Sequence, residues 1–134
     1  LIVTDPALIG PWVCERGGGT WVAGRGQAIG LTRSGKLIAG VLYEDWNRAH
    51  VICHIAGEGN WASSREYLRV IFDYPFRQLK VRRITVPVAE SNRIARRFVE
   101  RLGFVFEASL KDAHPEGDLI IYKMTPDQCR WLKD

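Results

Sequence analysis

"VAESNRIARRFVERLGFVFEASL", running from Val88 to Leu110, decides the fold. Asn92 stands where a helix can open, because its side-chain oxygen can accept an orphan backbone N–H. Ile94, Ala95, Phe98 and Leu102 then recur at the spacing of one helical face. Gly103 is a natural C-cap, with Phe104 as the hydrophobic contact behind it. The alternation that follows, to Leu110, reads as a strand. Arg93, Arg96, Arg97 and Arg101 fill the rest of the helix circumference, as a solvated helix face would.

Upstream, "RRITVPV" (82–88) reads as a strand with Ile84, Val86 and Val88 on one face. Pro87 lacks the N–H that a ladder uses, so this strand should part from a neighbour near its C-terminal end. "SSRE" at Ser63 to Glu66 fits a capping box. It opens a helix over 63–79 with Leu68, Ile71, Phe72, Phe76 and Leu79 along one face. Pro75 inside it predicts a kink. "NRAHVICHIAG" (47–57) reads as a central strand covered on both faces. Before it, 28–32 and 36–46 form a hairpin turning at Arg33-Ser34-Gly35. The first helix starts at Asp5-Pro6 and carries Leu8, Ile9, Trp12 and Val13 at helical spacing. "ERGGGT" ends it. Its three glycines look like a phosphate cradle, but no Lys-Ser/Thr follows, so they read as a flexible loop. Downstream, "GDLIIYKM" is a last strand reached through a "KDAHPEG" loop, and 125–134 add a turn of helix.

The order is helix, three strands, helix, strand, helix, two strands. This is α/β with a mixed sheet. The helices at 63–79 and 91–102 are crossovers, so the three strands they join run parallel. At 134 residues the chain suits one domain, 1–134, with a real core. Its 46% hydrophobic and 25% charged residues match an ordinary soluble protein. No run approaches the roughly 18 apolar residues of a membrane span. The start "LIVTDPALIG" lacks a basic region and is no signal peptide, and the missing Met suggests a trimmed N-terminus. Cys14, Cys53 and Cys129 lack the spacing of a disulfide framework or a zinc site, so a cytoplasmic, reduced, metal-free protein is expected. The net charge of +4 permits attraction to phosphates without demanding nucleic acid. Zinc-deaminase, P-loop and Ser-His-Asp signatures are absent.

This order of elements, with Asn92, Ala95 and the later Leu102-Gly103-Phe104, resembles the GNAT N-acetyltransferase superfamily over roughly residues 25–125. It is most similar to the branch that acetylates protein N-termini and ribosomal proteins. The short form also looks like small phage and prophage acetyltransferase-like proteins. The resemblance implies a mixed sheet, partly splayed between strands 50–56 and 82–88 and flanked by helices. It implies acetyl-CoA as donor, an amine acceptor (protein N-terminus, lysine or small amine), and a monomer or homodimer. The pantetheine arm would enter the splay and pair with exposed strand backbone. The pyrophosphate would sit on backbone N–H groups between Gly57 and Ser63, including Gly59 and Asn60. Asn92 would lie against the coenzyme arm, and Arg96 or Arg97 would reach a coenzyme phosphate.

Two departures stand out. The family's loop reads Gln/Arg-x-x-Gly-x-Gly/Ala; here it is His54-Ile55-Ala56-Gly57-Glu58-Gly59. The tyrosine that many members use to protonate the leaving thiolate is replaced by Val99. Tyr67, Tyr74 and Tyr122 are conceivable substitutes, with core packing the simpler account of each. The resemblance makes His54 and Glu58 the leading general bases, with Glu44, Asp45 and His50 second. The backbone N–H of Ile55 or Ala56 would polarise the thioester carbonyl. Trp21, Trp46 and Trp61 either shape an acceptor pocket or pack in the core. The alternative function is a catalytically impaired GNAT-fold module that binds protein, or nucleic acid through "KVRR" (80–83) and the Arg-rich helix.

Overall fold

Alternating apolar residues build a seven-stranded mixed sheet in the computed structural model, which describes residues 1–133. The elements are β1 (Ile2–Val3), α1 (Pro6–Gly17), β2 (Gly26–Arg33), β3 (Lys36–Glu44) and β4 (His50–Gly57). Then come α2 (Arg65–Asp73), β5 (Arg83–Ala89), α3 (Arg93–Leu102), β6 (Val105–His114) and β7 (Gly117–Met124). The strand order is β1-β2-β3-β4-β5-β7-β6. On one face Ile9 and Val13 of α1 pack with Ala28, Leu42 and Ala56. On the other, Leu68, Ile71 and Phe72 of α2 and Val99 and Leu102 of α3 join Val41, Cys53, Ile55 and Val86. Burying each such large side chain contributes about 2 kcal/mol.

The expectation of parallel strands holds for direction and needs correction for neighbours. β4 and β5 pair in parallel. β7, antiparallel to both β5 and β6, lies between them, so β5 and β6 point the same way without touching as a pair. The parallel ladder is short: it joins His50 to Arg83, Val51 to Ile84 and Ile52 to Thr85. Beyond Ile52 the β3 ladder continues to Gly57 while the β5 ladder has ended. The sheet therefore splays as expected. Pro87 lies past the split, opposite Ile121 of β7.

Several boundaries move. The capping residue of α2 is Ser64, whose hydroxyl accepts from Tyr67 N–H. Ser63 instead ends a 3-10 turn (Trp61–Ser63) and its hydroxyl donates to the Asn60 carbonyl. Sequence cannot separate two adjacent serines as caps; the 3-10 turn decides it. Pro75 produces a π-helical turn at Tyr74–Gln78 rather than a simple kink, with Leu79 N–H reaching the Tyr74 carbonyl. Lys111 to His114, read as loop, extend β6, leaving Pro115-Glu116 as the hairpin turn. Ile94 is 85% exposed and stands off the buried stripe, which Val99 joins instead. Ile2-Val3, read as no element, pairs with Leu31 and Gly30. The tail forms 3-10 turns at Pro126–Gln128 and Arg130–Leu132; Asp134 lies outside the described residues.

Asn92 caps α3 as expected, its Oδ1 accepting from Ala95 N–H at 3.1 Å. Asn92→Ala should lower stability by about 1 kcal/mol, and Asn92→Ser should recover most of it. Equal urea midpoints for the Ala variant and the native chain would contradict this.

Candidate active site

The split between β4 and β5 brings the chemistry together. β4 alternates, so Cys53 and Ile55 enter the α2/α3 core while His54 and Ala56 face the α1 side. Glu44, at the end of the neighbouring β3, shares that side. His54 Nε2 and Glu44 Oε1 lie 3.1 Å apart, and both side chains are buried. Their other ends, His54 Nδ1 and Glu44 Oε2, have no hydrogen-bond partner. Arg25 Nε approaches Glu44 Oε2 at 3.9 Å and supplies positive charge. With Nε2 donating to the Glu44 carboxyl, the neutral ring keeps its lone pair on Nδ1. Burial pushes the His54 pKa below its ordinary value, with Glu44 pulling the other way. Burial thus favours the neutral ring, which has a lone pair able to accept a proton.

The end of α1 reaches the same place. A Cβ on Gly17 would stand 2.8 Å from the Ile55 carbonyl oxygen, so only glycine allows this approach to β4. Gly18 and Gly19 both have left-handed φ (92° and 91°). A Cβ on Gly19 would press on the His54 ring, 3.0 Å from Cε1. The "GGG" read as a flexible loop is thus a close cover over β4 and His54.

A cleft of 440 Å³ opens between Gly17–Gly19, His54, Pro87, Asn92 and the β6–β7 turn at His114 and Glu116. A smaller hollow of 100 Å³ lies between Gly57, the start of α3 and Phe98. The two share Arg16, Gly17 and Asn92 in their linings. Ile55 and Ala56 line the smaller hollow, where the β4 edge is free of β5. A strand edge without a ladder partner can accept an extended amide-bearing arm. The residues therefore fit a pantetheine arm in this place. Among the described residues no cluster of His, Cys, Asp or Glu could hold a metal ion.

The remaining expected residues fall as follows. Gly59 takes a left-handed φ of 67° in the turn after β4. Asn60 Oδ1 accepts from Arg33 Nη1 at 2.9 Å, beside Ser63. Glu58 leaves the cleft floor and pairs with Arg16, Nε to Oε1 at 2.7 Å. Arg96 donates from Nε to the Tyr122 hydroxyl and from Nη1 to the Glu90 carbonyl. Arg96 and Arg97 line a shallow surface with Arg93 and Glu100, apart from both hollows. His50 sits at the far end of β4, its Nε2 2.7 Å from Thr85 Oγ1. Asp45 pairs with Arg25.

The tyrosines are used for structure. Tyr67 donates to the Ile29 carbonyl at 2.8 Å, and burial drives its pKa upward. Tyr122 donates to Glu100 Oε2, and Tyr74 packs edge-on to Tyr43. Trp61 is fully buried and stacks on Phe98. Trp46 is exposed near Arg48. Trp21 covers Gly10 of α1. Sequence reasoning missed Arg16 and Gly17; the run of three glycines after Arg16 was the available signal.

This fold matches solved structures of acetyltransferases, one of them described as a GNAT-family member. A spermidine N-acetyltransferase variant from Vibrio cholerae superposes with TM-score 0.65 at 21% identity, over 83% of this chain and 70% of its own. A GNAT-family acetyltransferase from Bacillus anthracis gives TM-score 0.61 at 16% identity, over 77% and 67%. A ribosomal-protein-S5-alanine acetyltransferase from Vibrio fischeri gives 0.61 at 18% identity, over 76% and 62%. No protein-family model matches the sequence. No curated protein matches it either. No helix among the described residues is long and apolar enough to cross a membrane.

Proposed function

We propose that residues 1–134 act as one acetyl-CoA-dependent N-acetyltransferase domain on a primary amine. The observation that carries this is His54, buried and hydrogen-bonded to Glu44, beside the split in the sheet. Bound acetyl-CoA supplies the thioester. Ile55, Ala56 and Gly57 present strand backbone to its arm, and Asn92 flanks the same hollow. A backbone N–H of Ile55 or Ala56 stabilises the charge that develops on the thioester oxygen. The substrate ammonium first gives a proton to His54 Nδ1, which it reaches by displacing the Gly19 cover; the neutral amine then bonds to the acetyl carbon as the C–S bond breaks. The sulfur departs as thiolate, a tolerable leaving group near neutral pH, and takes its proton from solvent. This accommodates Val99, which is buried and offers no acid. Glu58 is too engaged with Arg16 to serve as first choice of base. The acceptor is a protein N-terminus, a lysine or a small amine; the neighbours named for spermidine and for a ribosomal-protein alanine support an amine in general.

Calorimetric titration with acetyl-CoA tests the donor site. Micromolar binding, weakened in Asn92→Ala, is expected. Thiol release with a panel of spermidine, lysine and short peptides then tests transfer. Binding without release from any amine would favour the second reading, a GNAT-fold binding module, to which the missing tyrosine at Val99 points. No binding at millimolar acetyl-CoA would end the enzyme reading.

A further inference from the structure

We propose that Arg16 is a ligand for the coenzyme diphosphate and that Glu58 occupies it while the site is free. This rests on the acetyl-CoA reading above. The loop that would receive the diphosphate begins at Gly57, and the residue before it that resembles the family's Gln/Arg position is His54. The His54 side chain is turned to Glu44 and buried, so it offers nothing to an anion in that loop. The guanidinium that reaches this place comes from α1. Arg16 lines the hollow with Gly57, Ile55 and Asn92.

Arg16 is pre-shaped for an anion. Its guanidinium lies over the Trp12 ring, 4.1 Å from the centroid, and Nη1 donates to the Trp12 carbonyl at 3.2 Å. Stacking and that bond remove much of the freedom of a long side chain before any ligand arrives. Nε is left for an oxygen acceptor, and Glu58 Oε1 takes it at 2.7 Å. Glu15 Oε2 is a looser neighbour at 3.7 Å from Nη1. A carboxylate on a stacked guanidinium is the nearest protein equivalent of a phosphate oxygen. Both side chains are solvent-accessible, 33% for Arg16 and 57% for Glu58, so the exchange needs no opening of the core. Glu58 follows the end of β4, its N–H bonded to the Ile38 carbonyl, so its backbone can stay while its side chain swings out. Removing Glu58 should therefore favour the coenzyme, and removing Arg16 should disfavour it.

The test is calorimetry with acetyl-CoA at fixed ionic strength on the native chain, Glu58→Gln, Arg16→Gln and the double variant. Glu58→Gln is isosteric, Arg16→Gln removes the guanidinium, both positions are at the surface, and thermal unfolding confirms that each variant is folded. Glu58→Gln should tighten binding about 3- to 5-fold, the scale of an exposed ion pair. Arg16→Gln should weaken it about 10-fold. The double variant should match Arg16→Gln alone, because Glu58 matters only through Arg16. If Glu58→Gln tightens binding equally with and without Arg16, the effect is a general field and the proposal is wrong. Unchanged affinity in Arg16→Gln also overturns it. If all four proteins ignore acetyl-CoA, the coenzyme reading falls first and takes this inference with it.

Discussion

His54→Gln is expected to cut acetyl transfer about 100- to 1000-fold while leaving acetyl-CoA affinity within about 2-fold. Gln can keep a hydrogen bond to Glu44 but has no lone pair of imidazole basicity to offer where Nδ1 now stands. The pH profile separates this from simple damage to the fold. Burial lowers the His54 pKa, so kcat/KM should fall on the acid side only below the ordinary histidine value of about 6.5. Below its pKa His54 is already protonated and cannot take the amine proton, which gives the limb its sign. Glu44 raises that pKa by its charge and its hydrogen bond. Glu44→Gln should thus move the acid limb to still lower pH, with a slower plateau. A His54→Gln enzyme with native kcat, or an acid limb indifferent to Glu44, would remove His54 from the reaction.

Gly57→Ala should be the most damaging single methyl in the chain, at about 3 kcal/mol. A Cβ on Gly57 would fall inside the Trp61 indole. Trp61 cannot move away cheaply. It is 1% exposed, stacks on Phe98 of α3 with centroids 4.8 Å apart, and meets Tyr67 of α2 edge-on. Pushing the indole outward would press Phe98 into the hollow beside Asn92. Chemical denaturation should show the loss, and acetyl-CoA titration should show weakened binding in the folded fraction. Native stability in Gly57→Ala would mean that Trp61 has room the packing does not suggest. The contrast is Gly59→Ala. Nothing lies near its Cβ, and only its left-handed φ resists the change, so the cost there should be about 1 kcal/mol.

The fold was legible because its signals are local. Asn92, the apolar spacing behind it and Gly103 each name a position on one helix, and Pro87 marks the end of β5 that has already parted from β4. Those features led to the order of elements along the chain and to a mixed sheet, while the split between strands 50–56 and 82–88 came from the family resemblance. What stayed hidden depends on partners far away in sequence. Ile94 reads as apolar at helical spacing, and only the packing of Val99 and Phe98 against the sheet and Trp61 turns it to solvent. The insertion of β7 between β5 and β6 cannot be read from element order. His54 was visible as an oddity at the end of a strand, but Glu44 as its partner requires the β3–β4 register, which sets Leu42 opposite His54. Arg16 was hidden more deeply. It sits in a helix that reads as core support, and its approach to Glu58 spans 42 residues.

The three-pair ladder between β4 and β5 has a mechanical meaning. The sheet is two stiff plates, β1–β4 and β5–β7, joined by a narrow seam at one end and open at the other. Load that pulls the plates apart concentrates on His50 to Ile52, as stress does at the tip of a notch. A ligand laid along the open margin of β4 and touching α3 would bridge the notch ahead of its tip. It would raise the force at which the plates separate far more than it would stiffen either plate alone.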